Sequence, residues 1–177
     1  MPVIRFVRRR PGRGFRRNRR RPIRNIILHS TDGREQGDLA TLTGNSVSIH
    51  WYVTRTGKIY HIVENRDTAF HAGRVFNPAQ FDNDATLGIE QEHFDPDPEH
   101  GRPRNENWPD AQIEAVAQVA AFLLQRHNLN PGNIHTHAGV ARPRGRKQDP
   151  FDYPFPKFNR LLAQNLQEQW TFEEVDD

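Results

Sequence analysis

The stretch Ile26-Ile27-Leu28-His29-Ser30-Thr31 decides how the rest of this 177-residue chain is read. Its apolar run, opened by Ile23 and closed by a histidine, has the length of a buried strand over Ile23–His29. A histidine closing such a strand projects at the carboxyl edge of the sheet, where open α/β sheets place their ligands. Standing alone, it would be an ordinary core histidine bonded to backbone. A second stretch lies far downstream: His135-Thr136-His137, with Asp149 twelve residues beyond His137 in Arg146-Lys147-Gln148-Asp149-Pro150. Two imidazoles and a carboxylate are the protein ligand set of a catalytic zinc site, whose fourth position stays open for water. His135 and His137 share a face of the strand expected over Asn133–His137, so either or both are candidates. Asp149, taken singly, reads as a turn-capping aspartate.

Working outward, residues 32–45 are polar and turn-rich, with a short helix around Asp38–Leu42. Val47–Thr54 alternates, with Val47, Ile49, Trp51 and Val53 on one face and Ser48, His50 and Tyr52 on the other. Arg55-Thr56-Gly57-Lys58 is a turn, and Ile59–Val63 returns to complete a hairpin. Thr86–Phe94 is a further strand, followed by a Pro-, Asp- and Asn-rich loop over 95–107. A helix capped by Asn107 or Asp110 runs to about Asn128, its core stripe formed by Ile113, Val116, Ala117, Ala120 and Leu124. After a long loop over 138–155, a final helix runs from Pro156 to about Trp170, with Phe158, Leu161, Leu162, Asn165 and Leu166 facing inward. Strands interleaved with helices predict an α/β fold with a mixed central sheet flanked by helices.

Composition adds a sharp asymmetry. The net charge of +3 hides eleven arginines, with no lysine and no acid, in residues 1–25; the rest carries 14 basic and 22 acidic residues. Residues 1–22 therefore read as a cationic arm, mostly disordered, and residues 171–177 as a fraying acidic tail. Val3, Ile4, Phe6, Val7 and Phe15 could still dock the arm locally. No apolar run approaches a membrane span, and the basic start lacks the apolar core of a secretory signal. Without cysteine, a metal must be held by His, Asp or Glu.

Glu90 sits in Leu87-Gly88-Ile89-Glu90, with Glu92 on the same face. A carboxylate on an apolar strand is costly unless paired or used, and suits a general base; otherwise it is an exposed acid on an edge strand. Asp95, Asp97, Glu99 and Glu106 have the flavour of a calcium loop, but its glycine falls one place late and Pro96 and Pro98 stiffen it.

Six blocks now converge: Leu28-His29-Ser30-Thr31, Ser48-Ile49-His50-Trp51-Tyr52-Val53 with Gly57, Phe70-His71-Ala72-Gly73, Leu87-Gly88-Ile89-Glu90, Thr136-His137, and Arg146-Lys147-Gln148-Asp149-Pro150. Together, over about residues 23–165, they resemble the type-2 N-acetylmuramoyl-L-alanine amidases, a family that includes phage endolysins, cell-wall recycling amidases and peptidoglycan recognition proteins. The resemblance implies Zn2+ held by His29, His137 and Asp149, with Glu90 as catalytic carboxylate and Lys147 as the cation steadying the oxyanion. It places His71 along the substrate groove, with His50 and Tyr52 as further substrate-binding candidates, and sets His135 aside. The chain departs from the family pattern at Ile49, where some phage members carry a catalytic tyrosine, and at Thr136, where a glycine is usual.

The resemblance thus implies a zinc amidase domain over residues 23–170, cutting the bond between N-acetylmuramic acid and L-alanine of peptidoglycan, in the manner of a phage endolysin. It would be made in the cytoplasm without a conventional signal and act at the cell wall. The eleven arginines suit a polyanion: lipopolysaccharide, anionic lipid or teichoic acid at the bacterial envelope. Two other readings stay open. One is a peptidoglycan-binding module without catalysis; the other is a nucleic-acid binder led by its arm, with a structural metal.

Overall fold

The computed structural model describes residues 1–97, 99, 101 and 106–177. Its strands are β1 (Val3–Arg8), β2 (Phe15–Arg16), β3 (Asn25–Leu28), β4 (Trp51–Val53), β5 (Ile59–His61), β6 (Thr68–Ala69), β7 (Thr86–Gln91), β8 (Ile134–Thr136) and β9 (Thr171–Val175). Its helices are α1 (Glu35–Leu42), α2 (Pro78–Phe81), α3 (Asp110–Arg126), α4 (His137–Val140) and α5 (Phe155–Asn165). Among the described residues, seven strands form one sheet in the order β8-β3-β7-β4-β5-β1-β9, and β2 pairs with β6 apart from it. Strands β8, β3, β7 and β4 run parallel; β5 turns back against β4, and β1 and β9 run with β5. The mixed sheet expected from the alternation of elements is the one observed. No described helix is long and apolar enough to cross a membrane.

The run that opens β3 is buried on both faces, which is why it does not alternate. Ile26 and Leu28 pack toward α3, while Ile27 packs with Ala72, Val75, Phe81 and Val140 on the other side. The predicted stripe of α3 is buried throughout, and Gln112, Val119, Ala121 and Leu123 join it. Phe158 and Leu162 of α5 belong to the same core. Each large side chain so buried contributes roughly 1.5–3 kcal/mol. The final helix ends at Asn165 rather than Trp170, whose indole Nε1 turns back to donate to the Asn165 carbonyl at 2.8 Å.

The hairpin forms as expected, with Gly57 at φ 83° in its turn. Its first strand is shorter than the alternation suggested. Ser48 donates its backbone N–H to Phe70 O and its hydroxyl to Gly14 O, so residues 47 and 48 leave the hairpin, while Ile49 O and His50 O still accept from Val63 and Ile62. Ile49 consequently packs with Tyr52 and Tyr60, not with Trp51 and Val53. Of the discarded calcium loop, residues 98, 100 and 102–105 lie outside the described residues.

The largest correction concerns the two termini. Residues 3–8 are not a disordered arm but an interior strand of the main sheet, paired with β5 on one side and β9 on the other. Ile4, Phe6 and Val7 are buried, and the apolar residues in β1 provide the reason. The acidic tail is ordered for a matching reason: Thr171–Val175 forms β9, the partner of β1. Arg5 meets Glu173 at 3.0 Å, Arg8 meets Glu64 and Glu174, and Arg9 meets Asp177. The opposite charges of the two ends, read in the sequence as separate tails, face each other across two adjacent strands.

Arg19 makes the deepest attachment. Its guanidinium donates to the carbonyls of Asn65, Asn83, Asp84, Thr86 and Asp67 at 2.6–3.3 Å. Burial lowers its pKa to about 10, so the group keeps its charge at neutral pH.

Candidate metal centre

Three adjacent parallel strands bring the site together. Leu28 of β3 lies beside Thr136 of β8 and Ile89 of β7. One residue further along each strand stand His29, His137 and Glu90, side by side at the carboxyl edge. Leu28 and Ile89 face the α3 core, so His29 and Glu90 face the opposite side. The helix α4 begins at His137, with Thr136 as its N-cap: its hydroxyl accepts from Gly139 N at 3.0 Å. A hydroxyl-bearing cap thus stands where glycine is usual in the family pattern. Asp149 arrives on the loop after α4, held by Ala138 N–H donating to Asp149 O at 2.9 Å.

His29, His137 and Asp149 are buried and offer ligand atoms within 4.8 Å of one another. The two Nδ1 atoms are 3.1 Å apart, and Asp149 Oδ2 lies 3.1 Å from His137 Nδ1 and 3.4 Å from His29 Nδ1. Tetrahedral zinc bonds of 2.0–2.1 Å require ligand atoms about 3.3 Å apart. The donor chemistry agrees. His137 Nε2 lies 3.0 Å from Ala72 O, which can only accept, so this nitrogen carries the proton and Nδ1 of the neutral ring is a lone pair. That lone pair points at a carboxylate oxygen, an arrangement stable only with a cation, or a proton, between them. The cluster could hold a divalent metal ion.

These three residues line a cavity of about 250 Å3 together with Glu90, Lys147, His71, Ser30, Asp38 and Phe70. Burial holds the His29 imidazole neutral, with a pKa lowered to about 4. Burial alone would raise the Asp149 carboxyl, but its close contacts with His137 and His29 outweigh it and hold the group far below its ordinary value. Glu90 moves the other way: burial first, then the charges of Asp149 and Asp38, push it well above the usual carboxylate range. A cluster of acceptors beside a carboxylate raised in pKa and an exposed lysine could serve metal-assisted hydrolysis.

Residues 19–152 match the family model of N-acetylmuramoyl-L-alanine amidase. The chain belongs to this family. The amidase AmiD of Escherichia coli is 32% identical over 136 residues, which cover 72% of this chain and 49% of that protein. The chain thus spans about half the length of this curated relative. A structure of AmiD with an anhydro-N-acetylmuramic acid peptide superposes with a TM-score of 0.70, at 28% identity, covering 78% of this chain and 57% of that one. A selenomethionine derivative of AmpD gives a TM-score of 0.74 at 22% identity, covering 89% and 94%, a likeness of fold.

Within the chain the expected residues separate into two groups. His29, His137, Asp149, Glu90, Lys147 and His71 all line the one cavity. His50 and Tyr52 do not, and their expected place against substrate is corrected. His50 is fully buried; its Nδ1 accepts from Gly88 N–H at 3.1 Å and its Nε2 faces Asp67 O at 3.1 Å. Tyr52 is equally buried and donates to Asp38 Oδ2 at 2.7 Å, while burial and this bond raise its pKa. Ile49 is buried too, so its position presents no polar group to the cavity. His135 bonds instead to Asn25 Oδ1 at 3.1 Å, away from the cluster.

Sequence reasoning passes over Asp38 and Asn83. Asp38 lines the cavity and accepts from both Thr31 Oγ1 and Tyr52. Asn83 Oδ1 accepts from the backbone N–H groups of His71 and Ala72, at 2.9 and 2.8 Å, and so sets the loop bearing His71. Neither lies in a periodic pattern or beside a ligand, so only the fold reveals them.

Proposed function

We propose that this protein is a zinc-dependent hydrolase that cleaves the amide between N-acetylmuramic acid and the L-alanine of the peptidoglycan stem. The observation that carries the reading is the convergence of two imidazole nitrogens and a carboxylate beside Glu90 and Lys147 in one cavity. Family membership and the substrate bound in the AmiD structure support it. His29, His137 and Asp149 would hold the metal. When bound, zinc supplies Lewis acidity and brings the pKa of a coordinated water to about 7.

The chain's own residues supply the rest. Glu90, buried beside the cluster, accepts the proton of the attacking water and returns it to the departing L-alanine nitrogen. Lys147 places positive charge where the carbonyl oxygen becomes anionic, an effect of roughly 3 kcal/mol for one well-placed donor. The carbon–nitrogen bond breaks, leaving a lactyl carboxylate and a free amine. Glu90→Gln keeps the shape and removes the base. It should lower kcat by 100-fold or more, since general-base catalysis contributes about 10²–10⁴, and leave zinc bound. Near-normal turnover in that variant would refute the role of Glu90.

The protein is further proposed to act at the bacterial cell wall, as an endolysin does, held there by anionic phosphate-bearing polymers or lipids. The arginines divide in a way that supports this. Arg5, Arg8, Arg9, Arg16, Arg19 and Arg21 are bound to acceptors of the domain itself. Arg10, Arg13, Arg17, Arg20 and Arg24 are exposed, and their guanidinium groups show no hydrogen bond or ion pair among the described residues. Arg10 and Arg17 line one basic recess with Arg66. Replacing Arg10, Arg17 and Arg66 by glutamine should weaken sedimentation with anionic vesicles, flatten its salt dependence, and spare hydrolysis of a soluble muramyl peptide. Unchanged sedimentation would refute the recess as the anchor.

A further inference from the structure

His71 was expected to meet substrate, yet both of its ring nitrogens are engaged. Resting on the zinc reading, we propose that His71 is a positioning residue which, with Thr86, fixes the tautomer of His29 and keeps the His29 Nδ1 lone pair turned into the ligand cluster. The hydrogen-bonded chain that does this begins at its far end, on Thr86. Thr86 Oγ1 lies 2.8 Å from the carbonyl oxygen of Asp82. A carbonyl only accepts, so the Thr86 hydroxyl proton goes there and its lone pairs face His71. His71 Nε2, at 3.3 Å from Thr86 Oγ1, must then be the protonated nitrogen. His71 Nδ1 is left as an acceptor, and His29 Nε2 lies 2.9 Å from it. His29 therefore carries its proton on Nε2 and presents an unprotonated Nδ1 to His137 and Asp149.

The surroundings hold this chain in place. Asn83 fixes the backbone of His71 from one side. Gly88 clears the other: a Cβ there would lie 2.8 Å from His71 Nδ1 and 2.3 Å from Ile49 Cδ1. Glycine in the middle of a buried strand is otherwise unfavourable, and close approach of another group is what accounts for it. Gln91 Nε2 donates to the His29 carbonyl at 3.1 Å, which pins the ligand's own backbone. Partners of this kind orient metal-bound histidines, and their loss lowers metal affinity about 10–100-fold.

Thr86→Val tests the chain without changing side-chain shape. It removes the acceptor for His71 Nε2–H, while Asp82 O keeps the N–H of Ala85. His71→Leu removes the acceptor for His29; His71→Gln restores one through its amide oxygen. Zinc affinity is read by competition with a chromophoric chelator, on variants whose near-ultraviolet circular dichroism is native. Thr86→Val and His71→Leu should bind zinc about 10–100-fold more weakly, and His71→Gln should recover most of the loss. Long-range 1H–15N spectra of the metal-free wild type should show His29 protonated at Nε2. A His29 protonated at Nδ1, wild-type affinity in Thr86→Val, or equal losses in His71→Gln and His71→Leu would overturn the proposal. Failure of the wild type to bind zinc would defeat the metal reading instead, and the His29 spectrum would still decide this one.

Discussion

Truncating one aromatic side chain near the amino terminus separates a structural strand from a basic tether. Phe6 is 6% exposed and stands edge-on to the rings of Trp51, His61 and Phe172, each at 5.7 Å. Phe6→Ala removes that ring from between β5 and β9 and leaves a cavity against a stacked Trp51–His61 pair. Buried phenylalanine truncations cost about 3–5 kcal/mol, and total stability of a domain is typically about 5–15 kcal/mol. A loss near 4 kcal/mol is expected here, or roughly 8–16 °C in Tm at about 2–4 °C per kcal/mol for a chain of this length. Urea unfolding followed by tryptophan fluorescence measures it directly. Arg5→Gln serves as the internal comparison. Its pair with Glu173 is exposed on both sides, and such pairs contribute about 0–1 kcal/mol. If Phe6→Ala cost no more than Arg5→Gln, the segment would be the loose arm that its charge suggests. By the same token, deletion of residues 1–22 is an unfolding experiment rather than a test of envelope binding.

Arg19→Met should destabilise by about 3 kcal/mol or more, since it strips a charged donor from five carbonyls; a change under about 1 kcal/mol in urea would contradict that. Stability of the metal-free protein should fall as pH drops from 6.5 toward 4. Burial lowers His29, His61 and His93 to about 4, 3 and 4, and lowers His50 well below its ordinary value. The unfolded chain thus binds more protons in this window, and stability present above pH 6.5 is lost on acidification. Glu90 and Asp38, raised first by burial, act in the opposite sense, but with His71, His127 and His135 also lowered by burial, seven histidines outnumber two carboxyls. A urea midpoint that stays flat or rises on acidification would refute the balance. Chelation of a bound metal should lower Tm and added zinc restore it, because ligand binding to the folded state alone stabilises it; a Tm indifferent to both would contradict a site formed only on folding.

The parts of this molecule legible in its sequence are those where local pattern and tertiary role coincide. Ile26–Leu28 is apolar because both faces are covered, and the stripe of α3 repeats at helical spacing because one side packs on the sheet. His29, His137 and Asp149 can be picked out from residue type and family order, and the register of three parallel strands explains why such distant positions meet. At the termini, charge misleads. Eleven arginines suggest repulsion and disorder, whereas Ile4, Phe6 and Val7 need a sheet and Glu173, Glu174 and Asp177 offer countercharge from the far end of the chain. No local pattern can report such a pairing. His50 and Tyr52 mislead for a related reason: a polar residue in a motif looks exposed until the network that buries it is seen.

The bond that is cut decides whether this protein is the amidase proposed. Purified peptidoglycan incubated with zinc-loaded protein should yield new L-alanine amino termini, detected by amino-group labelling and hydrolysis, while the glycan strands keep their length. New reducing sugar ends, a different amino-terminal residue, or no new termini at all would contradict it.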